Sequence, residues 1–170
     1  RNDLLKKWSK WEHHLGKYLI GYPEKYRRYS SGNMVVYARI IDANLNRLRE
    51  ACRVLEDILR YGCDEKQACA KIKSIRHQLR LISESHGLVR LLDSRGADRD
   101  VGKALKENGE MGREDIYQVW TANMKRAQEA ARVLEEFFKI DAQSQSAIIK
   151  SMRYQLYELE KKYFQKRVFG

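Results

Sequence analysis

Proline is almost missing from this chain, with Pro23 the single example in 170 residues, and only ten glycines accompany it. So few helix breakers exclude a collagen-like or linker-rich chain and argue against several domains strung on loops. Cysteine is scarce too. Cys52, Cys63 and Cys69 are odd in number and show neither a CxxC pair nor a Cys/His metal spacing, which excludes a disulfide framework and a zinc finger. They read as reduced thiols of a cytoplasmic protein. No apolar run approaches the ~18 residues of a membrane span; the most apolar stretch is Met34 to Ile41. There is no GxGxxG, HExxH or GxSxG, and Gly96 to Ala104 misses a Walker loop by one spacer and by an Ala where Ser or Thr would hold a metal. His13, His14, His77 and His86 lack ligand spacing, and His77 reads as an aromatic filler at a helix boundary. Arg1 reads as an end left by processing or trimming, with no signal-peptide pattern behind it.

What is abundant is charge. Thirty-four Lys and Arg against 23 Asp and Glu leave +11, with 43% apolar and 34% charged residues. That balance suits a soluble, helix-rich domain whose partner is anionic: a nucleic acid, a nucleotide, a phosphorylated metabolite or a lipid surface.

Helical spacing dominates from residue 35 onward. Ile41, Leu45, Leu48, Cys52, Leu55 and Leu59 mark one helix over Val35 to Tyr61, stopped by Gly62. Asp64 with Gln67 resembles a capping pair for a second, carrying Ala68, Ile72, Ile75, Leu79 and Ile82 to about Ser85. Glycines 87, 96, 102, 109 and 112 break the middle into loops and short turns. A third long helix runs from about Glu114 to Lys139, and Asp141 is expected to cap a fourth through Ile148, Met152, Leu156, Leu159 and Tyr163. No useful length alternates as a strand would.

Residues 1–33 differ, with Trp8, Trp11, four tyrosines and eight basic against three acidic residues. Leu4, Trp8, Trp11, Leu15 and Tyr18 keep helical spacing, so an N-terminal helix is expected, docked on the core, on a second copy in a homodimer, or on a membrane surface.

The core is written twice. Ala43 to Arg60 (ANLNRLREACRVLEDILR) over Ala122 to Lys139 (ANMKRAQEAARVLEEFFK) gives nine identities in eighteen positions, and IKSIRHQL at Ile72 to Leu79 matches IKSMRYQL at Ile149 to Leu156. Two copies of one helical hairpin, residues 35–92 and 113–166 of a domain spanning 34–170, predict an all-α, pseudo-twofold four-helix bundle with the N-terminal helix added.

Polar identities between the copies call for a reason beyond packing. At ~100° per residue, Arg53 and Glu56 share a face with Asp42, Arg49 and Arg60, which reads as solvated. Asn44 and Arg47 fall instead in the arc of Ala51, Val54, Leu55 and Ile58, as do Asn123 and Arg126 in the arc of Ala130, Val133, Leu134 and Phe137, with Glu50 and Glu129 three residues on. An inward guanidinium must be paired or face a polar cavity. Two readings satisfy that: an Arg–Glu–Asn network fixing the register of the hairpins, or a cleft where Arg47, Arg126, Arg76 and Arg153 converge on an anion and bind it by their planar forks. A second candidate is the loop Asp93 to Gly102 (DSRGADRDVG), where Asp98 or Asp100 would hold Mg²⁺ and Arg95 or Arg99 a phosphate.

RIIDANLNRLREACRVLED at Arg39 to Asp57, IRHQL, the DVG of Asp100 to Gly102, and ANMKRAQEAARVLEE at Ala122 to Glu136 followed by RYQLYELEK together resemble a known family. It is the all-helical, non-ribokinase type of hydroxymethylpyrimidine phosphate kinase, found alone or fused ahead of thiamine-phosphate synthase. The resemblance covers about Met34 to Lys162 and leaves residues 1–33 outside it. It implies ATP- and Mg²⁺-dependent phosphorylation of 4-amino-5-hydroxymethyl-2-methylpyrimidine phosphate to the diphosphate in thiamine synthesis. On that implication Arg47 and Arg126 grip phosphates, Asn44 and Asn123 orient the pyrimidine or its phosphate, and Asp100, with Glu50 or Glu129, positions Mg²⁺, while Arg95 neutralises developing charge. The family's loop carries Arg-Asp-Thr/Ser before Asp-Val-Gly-Thr, whereas this chain has Arg95, Gly96 and Ala97 before its DVG and Lys103 after it. A carboxylate and a hydroxyl are therefore missing, for which Asp98 would substitute. The competing expectation is a catalytically degenerate accessory or regulatory domain of thiamine-phosphate synthase, or a basic nucleic-acid-binding module; inward arginines disfavour the last, which needs an exposed basic stripe.

Overall fold

The computed structural model describes residues 31–96, 100 and 112–165. The chain divides into two compact units, Arg1–Met34 and Val35–Gly170. The expected aromatic N-terminal helix and its homodimer contact lie outside the described residues, as do Asp98 and Arg99.

Among the described residues the structure is entirely helical, without a strand. Helix α1 spans Ser31–Asp57 and passes directly into a π turn, Ile58–Gly62. Gly62 closes that turn, but the residue that reverses the chain is Asp64, whose φ of 52° lies in the left-handed region. Aspartate tolerates this better than most residues with a Cβ. The expected Asp64/Gln67 cap is accordingly not formed. Glu65 precedes α2 (Lys66–His86) without a side-chain cap, and its N–H donates to the Leu59 carbonyl at 2.9 Å. Gly87, at φ 95°, ends α2 and starts the short helix α3, Leu88–Ser94.

Asp115 caps α4 (Ile116–Asp141) by accepting from the Gln118 N–H at 2.7 Å. Helix α5 spans Gln143–Gln165. Only Ala142 separates the two, so Asp141 ends α4 instead of capping α5, and the Ser146 hydroxyl ties the corner by donating to the Glu135 carbonyl at 2.8 Å.

Side-chain contacts set the helix directions. Arg76 pairs with Glu56 between α1 and α2, and Gln128 donates to Glu160 at 2.7 Å between α4 and α5, making each hairpin antiparallel. Tyr37 meets Phe137 at 6.0 Å between ring centroids at one end of the α1/α4 crossing, while Ile116 lies beside Ile58 and Gly62 at the other. Gln145 donates to Ser85 at 2.9 Å between α2 and α5, and Tyr163 stands beside Glu65 at the far end. Each long helix is therefore antiparallel to both neighbours, the arrangement of a four-cornered bundle.

The core between them is buried in matched pairs: Leu48 with Ala127, Cys52 with Ala131, Leu55 with Leu134, Leu59 with Phe138, then Ile72 with Ile149, Ile75 with Met152, Leu79 with Leu156 and Ile82 with Leu159. Each fully buried Leu, Ile, Met or Phe is worth roughly 1.5–3 kcal/mol. Two residues assigned to a solvated face are buried instead. Glu56 is 5% and Asp42 is 7% exposed, whereas Arg49, Arg53 and Arg60 are exposed as expected. His77 and Tyr154 fill nothing; both are on the surface. No described helix is long and apolar enough to cross a membrane.

Candidate functional site

The α1/α4 crossing leaves a cavity of about 670 Å³ lined by Asn44, Arg47, Glu50, Ala51 and Val54 from α1 and by Asn123, Arg126, Glu129, Ala130 and Val133 from α4. These ten residues are five pairs of aligned positions, and each pair is identical between the two copies. The volume lies within the ~300–1,000 Å³ typical of small-molecule sites. The register set by Tyr37 against Phe137 and Ile58 against Ile116 brings Arg47 level with Arg126 near the middle of the crossing.

The asparagines are held alike. Asn44 donates through Nδ2 to the Ile40 carbonyl at 2.9 Å, and Asn123 donates through Nδ2 to the Val119 carbonyl at 2.8 Å, each one turn back along its own helix. Using the NH₂ in this way fixes the amide and leaves Oδ1 as the acceptor. Arg47, Arg126, Glu50 and Glu129 are exposed to the cavity's solvent instead of buried as the helical wheel implied. None of the four makes a hydrogen bond or ion pair to another described residue, so the alternative Arg–Glu–Asn network is not formed there. Each half of the cavity thus presents one amide oxygen, one forked cation, one carboxylate and a small apolar floor of Ala and Val.

Two other arginines expected in the cleft are employed elsewhere. Arg76 pairs with Glu56, and Arg153 donates through Nε and Nη2 to Glu135 at 2.9 Å, the same aligned pair in each hairpin. Arg153 also donates to the Tyr157 hydroxyl at 2.9 Å. A buried carboxylate needs a cation; the guanidinium on the next helix supplies one in each hairpin, and Glu135 also accepts from Arg132 on its own helix at 3.0 Å.

Arg95 is committed as well. Its Nε and Nη2 grip Asp42 Oδ2 and Oδ1, both at 2.8 Å, in a bidentate pair. The hydrogen bond to Asp42 pushes the Arg95 pKa above the usual guanidinium value; slight burial opposes it, and the charges of Asp42 and Glu50 reinforce it. Beside it Arg39 donates to the Gly96 carbonyl at 3.0 Å. The start of the Asp93–Gly102 loop is thereby latched to α1 on the side of Asn44. On α4 Thr121 stands at the position aligned with Asp42, and Lys125, aligned with Asn46, has its pKa pushed up mainly by its hydrogen bond to Glu160, with Glu129 among the charges that add to this. Nothing in the periodicity marks Asp42 as part of the site's surroundings, and Ala51/Ala130 and Val54/Val133, although visible among the identities, read from sequence as packing.

Asp100 is exposed. Among the described residues no three His, Cys, Asp or Glu side chains lie together as a metal site.

Fold and cleft define an all-helical domain with a duplicated polar cavity of small-molecule size. The chain belongs to the ThiD2 family, which it matches over residues 39–162. It is similar to proteins named thiamine-phosphate synthase. That of Thermosynechococcus vestitus is 40% identical over 123 residues, covering 72% of this chain and 34% of the relative. The Gloeobacter violaceus protein is 40% identical over 126 residues, covering 74% and 36%, and that of Rhodopirellula baltica is 36% identical over 119 residues, covering 70% and 32%. The chain spans about a third of the length of these curated relatives. No solved structure matches it. These relationships place the chain in the context of thiamine biosynthesis.

Proposed function

We propose that this chain is a helical thiamine-biosynthesis domain that works alongside thiamine-phosphate synthase and binds a phosphorylated aminopyrimidine in the α1/α4 cavity. The observation that carries this reading is the lining, composed wholly of residues identical between the copies. A phosphate suits the forked guanidinium of Arg47 or Arg126. A ring amino group donates to the Asn44 or Asn123 amide oxygen, or to Glu50 or Glu129, and the ring face rests on the Ala and Val floor. A phosphodiester polymer fits less well, because the two glutamates would repel it.

The finer form of the reading is the reaction implied by the resemblance: ATP-dependent conversion of 4-amino-5-hydroxymethyl-2-methylpyrimidine phosphate to its diphosphate. The attacking phosphate oxygen is already ionised at neutral pH, so no strong base is required. What the transfer asks of the protein is positioning and charge neutralisation, and the two free arginines supply both. One observation favours the alternative of an accessory domain that binds without phosphorylating. Arg95, assigned to charge neutralisation, is held by Asp42, and its loop lacks the family's carboxylate and hydroxyl.

Phosphorus NMR of the full chain with ATP, Mg²⁺ and the pyrimidine monophosphate separates these forms, with Arg47→Ala as control. Diphosphate formed by the wild-type chain alone supports the kinase. No turnover, but a melting temperature raised by the monophosphate, leaves the accessory form. Absence of both turnover and a melting shift overturns the ligand assignment itself.

A further inference from the structure

Each half of the cavity is complete. In the antiparallel register Asn44 lies level with Glu129, Ala130 and Val133 at one end, Asn123 lies level with Glu50, Ala51 and Val54 at the other, and Arg47 and Arg126 stand between them, so each end holds the same five residue types. The Asn44 and Asn123 amides are fixed by the same bond to the carbonyl one turn back, so the free acceptor is the same atom on both sides. Nothing in the lining separates one half from the other. The differences lie outside it, in the Asp42–Arg95 latch next to one half and the Lys125–Glu160 pair next to the other.

A ligand that uses an amide oxygen, a guanidinium and a carboxylate on one side leaves an identical set free on the other. We infer that the cavity is a double site that takes two molecules of the phosphorylated aminopyrimidine, one per half, with their phosphates directed toward Arg47 and Arg126 near the middle. This rests on the ligand class proposed above and adds stoichiometry and arrangement to it. Two phosphates brought toward the middle repel each other, so the second molecule binds more weakly than the first, and added salt narrows the gap by screening. In a phosphoryl-transfer reaction the same arrangement would seat a donor in one half and the acceptor in the other. An excess of the monophosphate would then occupy both halves and compete with the nucleotide.

Isothermal titration of the full chain with 4-amino-5-hydroxymethyl-2-methylpyrimidine phosphate tests this without turnover. Two molecules should bind per wild-type chain, one per Arg47→Ala or Arg126→Ala chain, and none when both are replaced. Because both arginines are exposed, the variants should melt with the wild type, and that melting curve is the folding control. One molecule per wild-type chain, weakened alike by either substitution, overturns the double site and leaves the ligand assignment standing. Two molecules insensitive to both substitutions also overturn it. No binding at all removes the ligand assignment and the double site together.

Discussion

Arg153 closes on Glu135 from the neighbouring helix through two nitrogens at 2.9 Å, with side chains only 11% and 4% exposed. In the other hairpin the aligned Arg76 pairs with Glu56 through Nη1 alone, with the arginine 27% exposed. Glu56 has no other side-chain partner among the described residues, so removing Arg76 leaves a buried carboxylate uncompensated, which costs about 3 kcal/mol, whereas Glu135 keeps Arg132 at 3.0 Å. Arg76→Ala should lose about that much in a urea denaturation series, and Arg153→Ala less, because Arg132 still pairs with Glu135. Replacing Arg153 and Glu135 together by Met should recover most of the loss. Equal, negligible losses for both arginines would show that neither pair is needed for stability.

Arg47 and Arg126 should behave oppositely. They are exposed and make no hydrogen bond or ion pair to a described residue, so each Ala substitution should change unfolding free energy by no more than about 0.5 kcal/mol. Affinity at the half that loses its arginine should fall by at least tenfold, the order expected from losing a charged hydrogen bond, so the melting shift given by the monophosphate shrinks in either variant and vanishes when both are replaced. Thermal melts with and without the monophosphate measure both. A marked drop in melting temperature without ligand would reinstate the structural network that the sequence left open.

That choice could not be made from periodicity. Helix spans from residue 31 onward were largely legible because the apolar stripe keeps its three- and four-residue steps, and the cavity lining was legible because it is written twice. Glu56 was misplaced because a wheel drawn for one helix treats positions flanking the stripe as solvated, whereas a bundle helix packs on two neighbours and covers those flanks. Asp42 was misplaced for another reason: Arg95 lies 53 residues away in sequence, and nothing local announces the pairing. The π turn and the left-handed Asp64 were also invisible, since they are set by how α1 hands over to α2.

Cys52 offers a chemical test of the core. Burial pushes its thiol up to about 12 from 9.0, with Arg76 opposing and Glu56 reinforcing. The neutral thiol is the stabilised form, so its contribution is present in full below pH 9 and is lost as pH rises from 9 toward 12. The native chain should leave Cys52 unmodified by a maleimide at pH 8, with labelling only at the rate of unfolding. Cys52→Ala should flatten the alkaline end of the stability profile. Rapid native labelling, read by peptide mass spectrometry, would contradict its place in the core.

Glu160 gives the acid counterpart. Partial burial raises its pKa, but the hydrogen bonds from Lys125 and Gln128 and the Lys125 charge outweigh it and hold the carboxyl below its ordinary 4.5. A depressed folded-state value means a contribution present above pH 4.5 and lost as pH falls through the folded value. Wild type should therefore exceed Glu160→Gln in stability at pH 7, with the difference closing below pH 4.5. A difference independent of pH would mean that the contribution comes from shape alone.

The Asp42–Arg95 latch should fail unequally from its two ends. Asp42 is 9% exposed at its side chain and Arg95 45%, so Asp42→Asn releases a cation that water can solvate, whereas Arg95→Ala strands a buried carboxylate with Asn46 as its remaining side-chain donor. Arg95→Ala should cost about 2 kcal/mol and Asp42→Asn about 1 kcal/mol. Both should speed hydrogen exchange at the Arg95 amide, which bonds to the Leu92 carbonyl at 3.1 Å, because the loop start loses its anchor on α1. The more exposed partner is thus the more costly one to delete, the reverse of what exposure alone would rank. Equal costs would mean that Asp42 finds water once Arg95 is gone, and that the loop beside the cavity is held by Arg39 and Gly96 instead.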